Sequence, residues 1–415
     1  MSSTEFSDRF YNFCLCGVAL IFPFNQPYIN YAIVLLAASF TLNLFLGSKT
    51  KPETRELFFL PILFYALHLA GLIYSANTSY GFADVQTKFS FLFFPLIFIV
   101  KPFDKTFNVN LKWCFIIGGI LACVYNLATS AILYHTSKSL DAFYYGNFSK
   151  LMHPTYLTIY LNIAALLIVD LYFGKLRSKL LIFVLVLLFI VLMICIMLLS
   201  SRTAIFASYV TILLFTILKI KEGFNIRQYW RSGLIAVVVI IVSGFLVLSH
   251  TNRFEQVEVL FNGDNDFYKF DKKEYNSATV RIPLWINAAE VIDNNKLLGV
   301  GTGDIKEALD SVYRKNKFAY AEAAHFSPHN QILHTGIILG FVGITMLLSM
   351  LLIPLYYSIR YKSYLLMCFI IIFFFNMMTE SILERQAGII LFSFFYVMLI
   401  AELYGDIKKA GDLPA

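Results

Sequence analysis

Long apolar runs separated by short polar joints constrain the fold of this chain more than any single motif does. An α-helix crosses a bilayer with roughly twenty predominantly apolar residues. Such runs occupy residues 27–46, 57–75, 112–134, 153–173, 179–199, 203–220, 231–250, 331–357, 361–380 and 386–404, with weaker ones at 10–25 and 86–101. The expectation is an all-α integral membrane protein of about twelve transmembrane helices. Composition agrees: 59% hydrophobic, 17% aromatic and only 14% charged residues lie outside the range of soluble globular domains. The run at 10–25 is as short as a signal-peptide core. However, Cys16-Gly17-Val18-Ala19 leads to Phe22 and Phe24 with no clear small-residue cleavage site, so it reads as a retained helix.

Basic residues orient the helices. With twelve spans and both termini cytoplasmic, the inner segments carry eighteen Lys and Arg residues, from Arg9 through Lys101, Lys112 and Lys219 to Lys409. The short outer segments hold only five, Lys88, Lys138, Lys150, Arg202 and Arg385, as the positive-inside rule requires. The net charge of +7 is largely explained by this asymmetry and calls for no nucleic-acid partner. Residues 251–328, the one long polar stretch, then face outward. The chain reads as a single polytopic domain, residues 1–415, with this loop inserted. All six cysteines fall in or beside spans and none in the loop, which argues against a disulfide framework or a thiolate metal site.

Within the loop, Arg281-Ile282-Pro283-Leu284-Trp285 opens a segment with apolar residues at helical spacing and Pro283 in its first turn, which predicts a short amphipathic helix along the membrane surface. Gly299-Val300-Gly301-Thr302-Gly303 breaks it, and Asp304 is placed to cap a second helix running to about Asn316. The glycine run reads either as an ordinary turn or as a set of amides open to a phosphate.

Three residues stand out by their physical cost or position. Arg202, in Ser200-Ser201-Arg202-Thr203-Ala204, lies between two apolar runs, where it either snorkels to lipid phosphates or grips an anionic ligand. Arg281 is followed at once by apolar residues and marks either a pocket edge or a solvated loop. His329 follows Ser327 and Pro328, which suit the N-cap and first position of a helix. A helix N-terminus disfavours imidazolium, and a neutral imidazole is what a general base needs; the bland alternative is a histidine bonded within the cap. His153-Pro154-Thr155-Tyr156 repeats the histidine–proline pattern at another outer helix start. Metal readings are weak. Asp264-Asn265-Asp266 lacks the rest of a calcium loop, and Pro328 interrupts the helical face His325 and His329 would need. Neither a metal nor a cofactor is expected. Glu380, Glu384 and Arg385 form either a helix-end ion pair or part of a site.

In combination and order, Ser201-Arg202-Thr203-Ala204, Arg281 with Trp285, the 299–303 glycine turn and Pro328-His329-Asn330-Gln331-Ile332-Leu333-His334 with Gly336 and Gly340 resemble the O-antigen ligase and O-antigen polymerase superfamily of bacterial lipid-linked glycan transferases. The resemblance covers roughly residues 190–350 at motif level. It implies an inner-membrane enzyme that performs inverting, metal-independent glycosyl transfer on the periplasmic face. The donor would be an undecaprenyl-diphosphate-linked glycan, and the acceptor lipid A-core or another glycan. On this resemblance His329 would be the general base, and Arg202 and Arg281 would bind the diphosphate. His153, Tyr156, Trp285, Gly301, Gly303, His325 and Asn330 would be supporting candidates. Ligation is favoured over repeat-unit polymerisation or protein O-glycosylation. A transporter or flippase is disfavoured because the spans are nearly free of midplane charge.

Overall fold

The computed structural model describes residues 2–48, 55–102, 105–174, 178–223 and 280–411, and every regular element among them is helical. Nine helical segments among the described residues are long and apolar enough to cross a membrane. They are α2 (Gln26–Leu46), the Glu56–Ile73 segment ending in α3 (Phe59–Ile73), and the pair α4 (Thr78–Thr87) and α5 (Ser90–Val100). Next come α6 (Lys105–Ser137) and, after the single turn α7 (Tyr145–Phe148), α8 (Pro154–Tyr172), α9 (Lys179–Leu198) and α10 (Arg202–Lys221). The outer-loop helices α11 (Arg281–Asn294), α12 (Ile305–Lys315) and α13 (Ala319–Ala324) lead to the last two of the nine, within α14 (Gln331–Arg360) and α16 (Gln386–Ala410).

The remaining expected spans differ for identifiable reasons. The 10–25 run belongs to α1 (Ser3–Ile21), whose polar first turns lower its apolar character, with Pro23 just beyond its end. The 361–380 run forms only the 14-residue α15 (Tyr364–Met377), because the chain leaves helical geometry to build an outer turn. The 86–101 run begins eight residues earlier, at Thr78, and turns at Lys88 and Phe89. There Lys88 is buried against Asp84, one helical turn back. The 231–250 run and Asp264-Asn265-Asp266 lie outside the described residues.

α8 and α16 are buried over most of their length, whereas α2 and α9 bury only a minority of theirs. Phe22, Phe115, Tyr160, Phe394 and Phe395 interlock at the centre, with Phe22–Phe394 and Phe115–Phe395 meeting edge-on at 5.0 and 4.6 Å. At one end of the bundle, Lys112 pairs with Asp170 at 3.0 Å and Glu402 at 2.6 Å, tying α6, α8 and α16 together. Buried charges persist when paired in this way. The expected cytoplasmic ends of these helices therefore converge, and the opposite end carries α11–α13.

A break in α14 joins the loop helices to the bundle. At Gly340 the backbone turns to φ 61°, ψ −156°, a region essentially reserved for glycine. The carbonyls of Ile337 and Ile338 then accept the amides of Val300 and Gly301, and the amides of Phe341 and Val342 donate to Lys296 and Leu297. Non-helical backbone at membrane depth requires such replacements. Gly299 also has positive φ, and a β-carbon there would strike the Ile337 and Ile338 backbone.

Two expected caps are corrected. Asp304 precedes α12 but makes no side-chain bond to it; its carboxylate accepts the Ala76 and Asn77 amides at 2.7 Å each, bracing the start of α4. The cap of α14 is Asn330, not Ser327. Its side-chain oxygen accepts the Ile332 and Leu333 amides at 2.9 and 3.1 Å, so Pro328 and His329 precede the helix.

Replacing Gly340 by alanine puts a β-carbon into the Leu297 backbone and forces a glycine-only conformation, at a cost of about 1–3 kcal/mol for the conformation alone. Thermal unfolding of the purified Gly340→Ala chain in detergent is expected at a clearly lower temperature than the wild type.

Candidate active site

Residues 328–331 are pinned from both sides just before they enter α14. Trp285 on α11 donates its indole N–H to the Pro328 carbonyl at 3.0 Å. Across the gap lies the 378–385 turn that joins α15 to α16. Three successive residues engage it: His329 Nδ1 lies 3.1 Å from Glu380 Oε1, Asn330 donates its amide to the Met378 carbonyl at 3.1 Å, and Gln331 accepts the Leu383 amide at 2.6 Å. His329 itself is left-handed, with φ 46°, a conformation found in only a few per cent of non-glycine residues. Such strain persists only where the surroundings over-determine it.

Opposite charges gather around this contact. Glu380 is largely buried, which raises its pKa. The His329 hydrogen bond and the charges of His329, Arg281 and His153 more than offset burial and hold the carboxyl below its ordinary value. Glu384, four residues on, goes the other way: burial, reinforced by Glu380 and Asp84, keeps it above its ordinary value despite Lys88 and Arg385. Neighbouring carboxylates pushed apart in this manner suit different proton tasks. Burial also lowers His153, with Arg385 and His329 acting in the same sense and Glu380 opposing. Arg281 is lowered chiefly by burial, against the pull of Glu380 and Tyr145.

The structure brings together most, but not all, of the residues singled out from sequence. His329, Arg281 and His153 share the field of Glu380, and Tyr156 stands 6.2 Å ring to ring from His153. Trp285 and Asn330 hold the His329 backbone in place. Arg202 is exposed at the first position of α10. It opens at the same end of the bundle: Asn162 of α8 donates to the Ala204 carbonyl at 2.6 Å, and Phe206 meets Phe375 of α15 edge-on at 5.2 Å. His325 caps α13 with left-handed backbone and lies 2.6 Å from Asp310. The glycine turn spends its amides internally. Gly301 donates to Ile338 and Gly303 to the Ser75 hydroxyl at 2.9 Å, which favours the ordinary-turn reading over the phosphate cradle. Among the described residues, no group of three or more His, Cys, Asp or Glu side chains is arranged to hold a metal ion.

Glu380 is the residue whose role sequence reasoning left open. Its partner is 51 positions away, and neither spacing nor periodicity links an acid after one helix to a histidine before another.

Residues 187–348 match the family model described as O-Antigen ligase. The match supports the O-antigen ligase superfamily for this chain. It contains Arg202, Arg281 and His329, while His153, Tyr156 and Glu380 lie outside it. At this level it supports glycosyl transfer of the O-antigen ligase or polymerase type by a multi-pass membrane protein. No curated protein matches the chain.

Because the Glu380 carboxyl is held below its ordinary value of 4.5, its ionised contacts contribute stability that is complete above that value. This stability is lost as pH falls through the lower folded-state pKa. The melting temperature of the wild type is therefore expected to fall more steeply on acidification below pH 4.5 than that of Glu380→Gln, which has no such carboxyl to protonate.

Proposed function

We propose that the protein transfers a glycan from undecaprenyl diphosphate to an acceptor hydroxyl at the periplasmic face of the inner membrane, most simply by ligation to lipid A-core. The observation that carries this reading is the 3.1 Å contact between His329 Nδ1 and Glu380 Oε1, with Arg281 in the same field. When Nδ1–H donates to the carboxylate, the lone pair of the imidazole is on Nε2. That is the arrangement of a base held in one tautomer by an acid behind it. Trp285, Asn330 and Gln331 keep the backbone from rotating this ring away.

The acceptor oxygen attacks the anomeric carbon, its proton passes to Nε2 of His329, and the bond from that carbon to the diphosphate breaks with inversion. Glu380 stabilises the imidazolium that forms. Arg281, with Arg202 at the neighbouring helix end, offsets the charge that develops on the departing undecaprenyl diphosphate. An arginine suits this task because its planar fork binds phosphate oxygens bidentately. The lipid tail stays among the apolar helices while the reacting groups meet at the water boundary.

General-base catalysis typically contributes about 10² to 10⁴ in rate. His329→Ala should lose turnover on that scale while still binding donor, whereas Arg281→Lys should weaken donor binding as well. The assay is transfer from host-extracted lipid-linked glycan by the purified full chain; full transfer by His329→Ala would rule the mechanism out. Deleting the gene checks the reaction in the cell through surface glycan on gels and the lipid-linked pool by mass spectrometry. Ligation predicts long glycan accumulating on the carrier. Single repeat units on core would instead indicate polymerisation, and donor trapped in the inner leaflet a flippase.

A further inference from the structure

A half-open cavity of about 210 Å³ lies on the Phe326 side of His329. Its walls come from five separate parts of the chain: Tyr80 on α4, Lys306 and Asp310 on α12, the 325–327 segment, His334 on α14 and Glu384 in the 378–385 turn. The Phe326 ring stands 6.0 Å from the His329 ring, so the cavity and the candidate base are neighbours. At about 30 Å³ per water the space holds roughly seven waters. That suits one pyranose ring better than a disaccharide.

The chemistry of the walls points to a neutral polyhydroxylated ligand. His334 is almost completely buried, and neither of its ring nitrogens has a hydrogen-bond partner; Glu384 Oε2 lies 3.9 Å from Nδ1, too far for one. Buried polar atoms are ordinarily satisfied, so an imidazole of this kind lining a cavity indicates a bonding group supplied by a ligand. The carboxylates of Asp310 and Glu384 accept hydrogen bonds from hydroxyls and the ammonium of Lys306 donates to them, so the lining carries both signs of charge and suits neutral hydroxyl groups. Phe326 and Tyr80 offer apolar ring faces. Arg281, which suits the leaving group, belongs instead to the field of Glu380.

We propose that this cavity is the subsite for one sugar ring of the acceptor, its hydroxyls bonded to His334, Glu384 and Asp310 and its face against Phe326, so that the reacting hydroxyl reaches His329. The inference rests on the transfer reading above and adds the place and chemical class of the acceptor.

The test is saturation-transfer NMR on the full chain in detergent, with D-glucose, D-galactose and N-acetyl-D-glucosamine as probes and inorganic diphosphate as competitor. At least one sugar should show ring-proton saturation in the wild type. The signal should fall at least fivefold in Ser327→Phe, which fills the cavity with an aromatic ring, and in Glu384→Gln. It should persist when diphosphate is added. Unchanged melting temperatures separate lost binding from lost folding, and the diphosphate competition needs no variant at all. Absence of saturation with all three sugars, equal saturation in both variants, or displacement by diphosphate would each overturn the subsite. None of these results touches the transfer reading, which stands or falls on His329→Ala; full transfer by that variant would remove both.

Discussion

Backbone polar groups in a bilayer have no water to bond, and each one left unsatisfied costs several kcal/mol. The helices follow from this constraint, and so do the few places where helix is abandoned. At Gly340, α14 gives up the two intrahelical bonds that would join Phe341 to Ile337 and Val342 to Ile338, and the 296–301 segment of the outer loop supplies four bonds to the groups set free. Between α15 and α16 the chain leaves α-helix for eight residues, and the side chains of Asn330 and Gln331 satisfy Met378 and Leu383. Departures from helix and functional groups therefore coincide. The segments that bring His329 to Glu380 are the ones whose backbone must be bonded by something other than its own helix.

Electrostatics at this end of the bundle are divided rather than uniform. Glu380 is surrounded by His329, Arg281 and His153 and stays below its ordinary pKa, while burial, helped by Glu380 and Asp84, lifts Glu384 above it against the pull of Lys88 and Arg385. The two acids are one helical turn apart in sequence but face different neighbours. On the proposed reading, Arg281 beside Glu380 meets the departing diphosphate and the cavity beyond Phe326 meets the acceptor sugar. A single imidazole placed between them touches both halves of a transfer reaction.

Features set by local pattern could be read from the sequence. Run length gave the helical spans, Pro283 with the apolar spacing after Arg281 gave α11, and the motif order around Arg202, Arg281 and His329 gave the family. Features set by distant partners could not. Asp304 has the right chemistry to cap its own helix, yet it braces α4 through residues 228 and 227 positions away. Ser327 and Asn330 are both good caps, and the choice between them depends on Met378, which holds the Asn330 amide. Glu380 gains a role only through His329. Apolar periodicity has nothing to say about such pairings, because it records which face of a helix is dry and not which polar group waits there.

The central claim is that Glu380 holds His329 with Nδ1 protonated and Nε2 open to an acceptor hydroxyl. Solid-state ¹⁵N NMR of the histidine-labelled full chain in lipid at neutral pH observes this directly, with the His329 signals assigned by their loss in His329→Gln. The account predicts a protonated Nδ1 and an unprotonated Nε2, with that preference lost in Glu380→Gln. A neutral ring carrying its proton on Nε2 would contradict it.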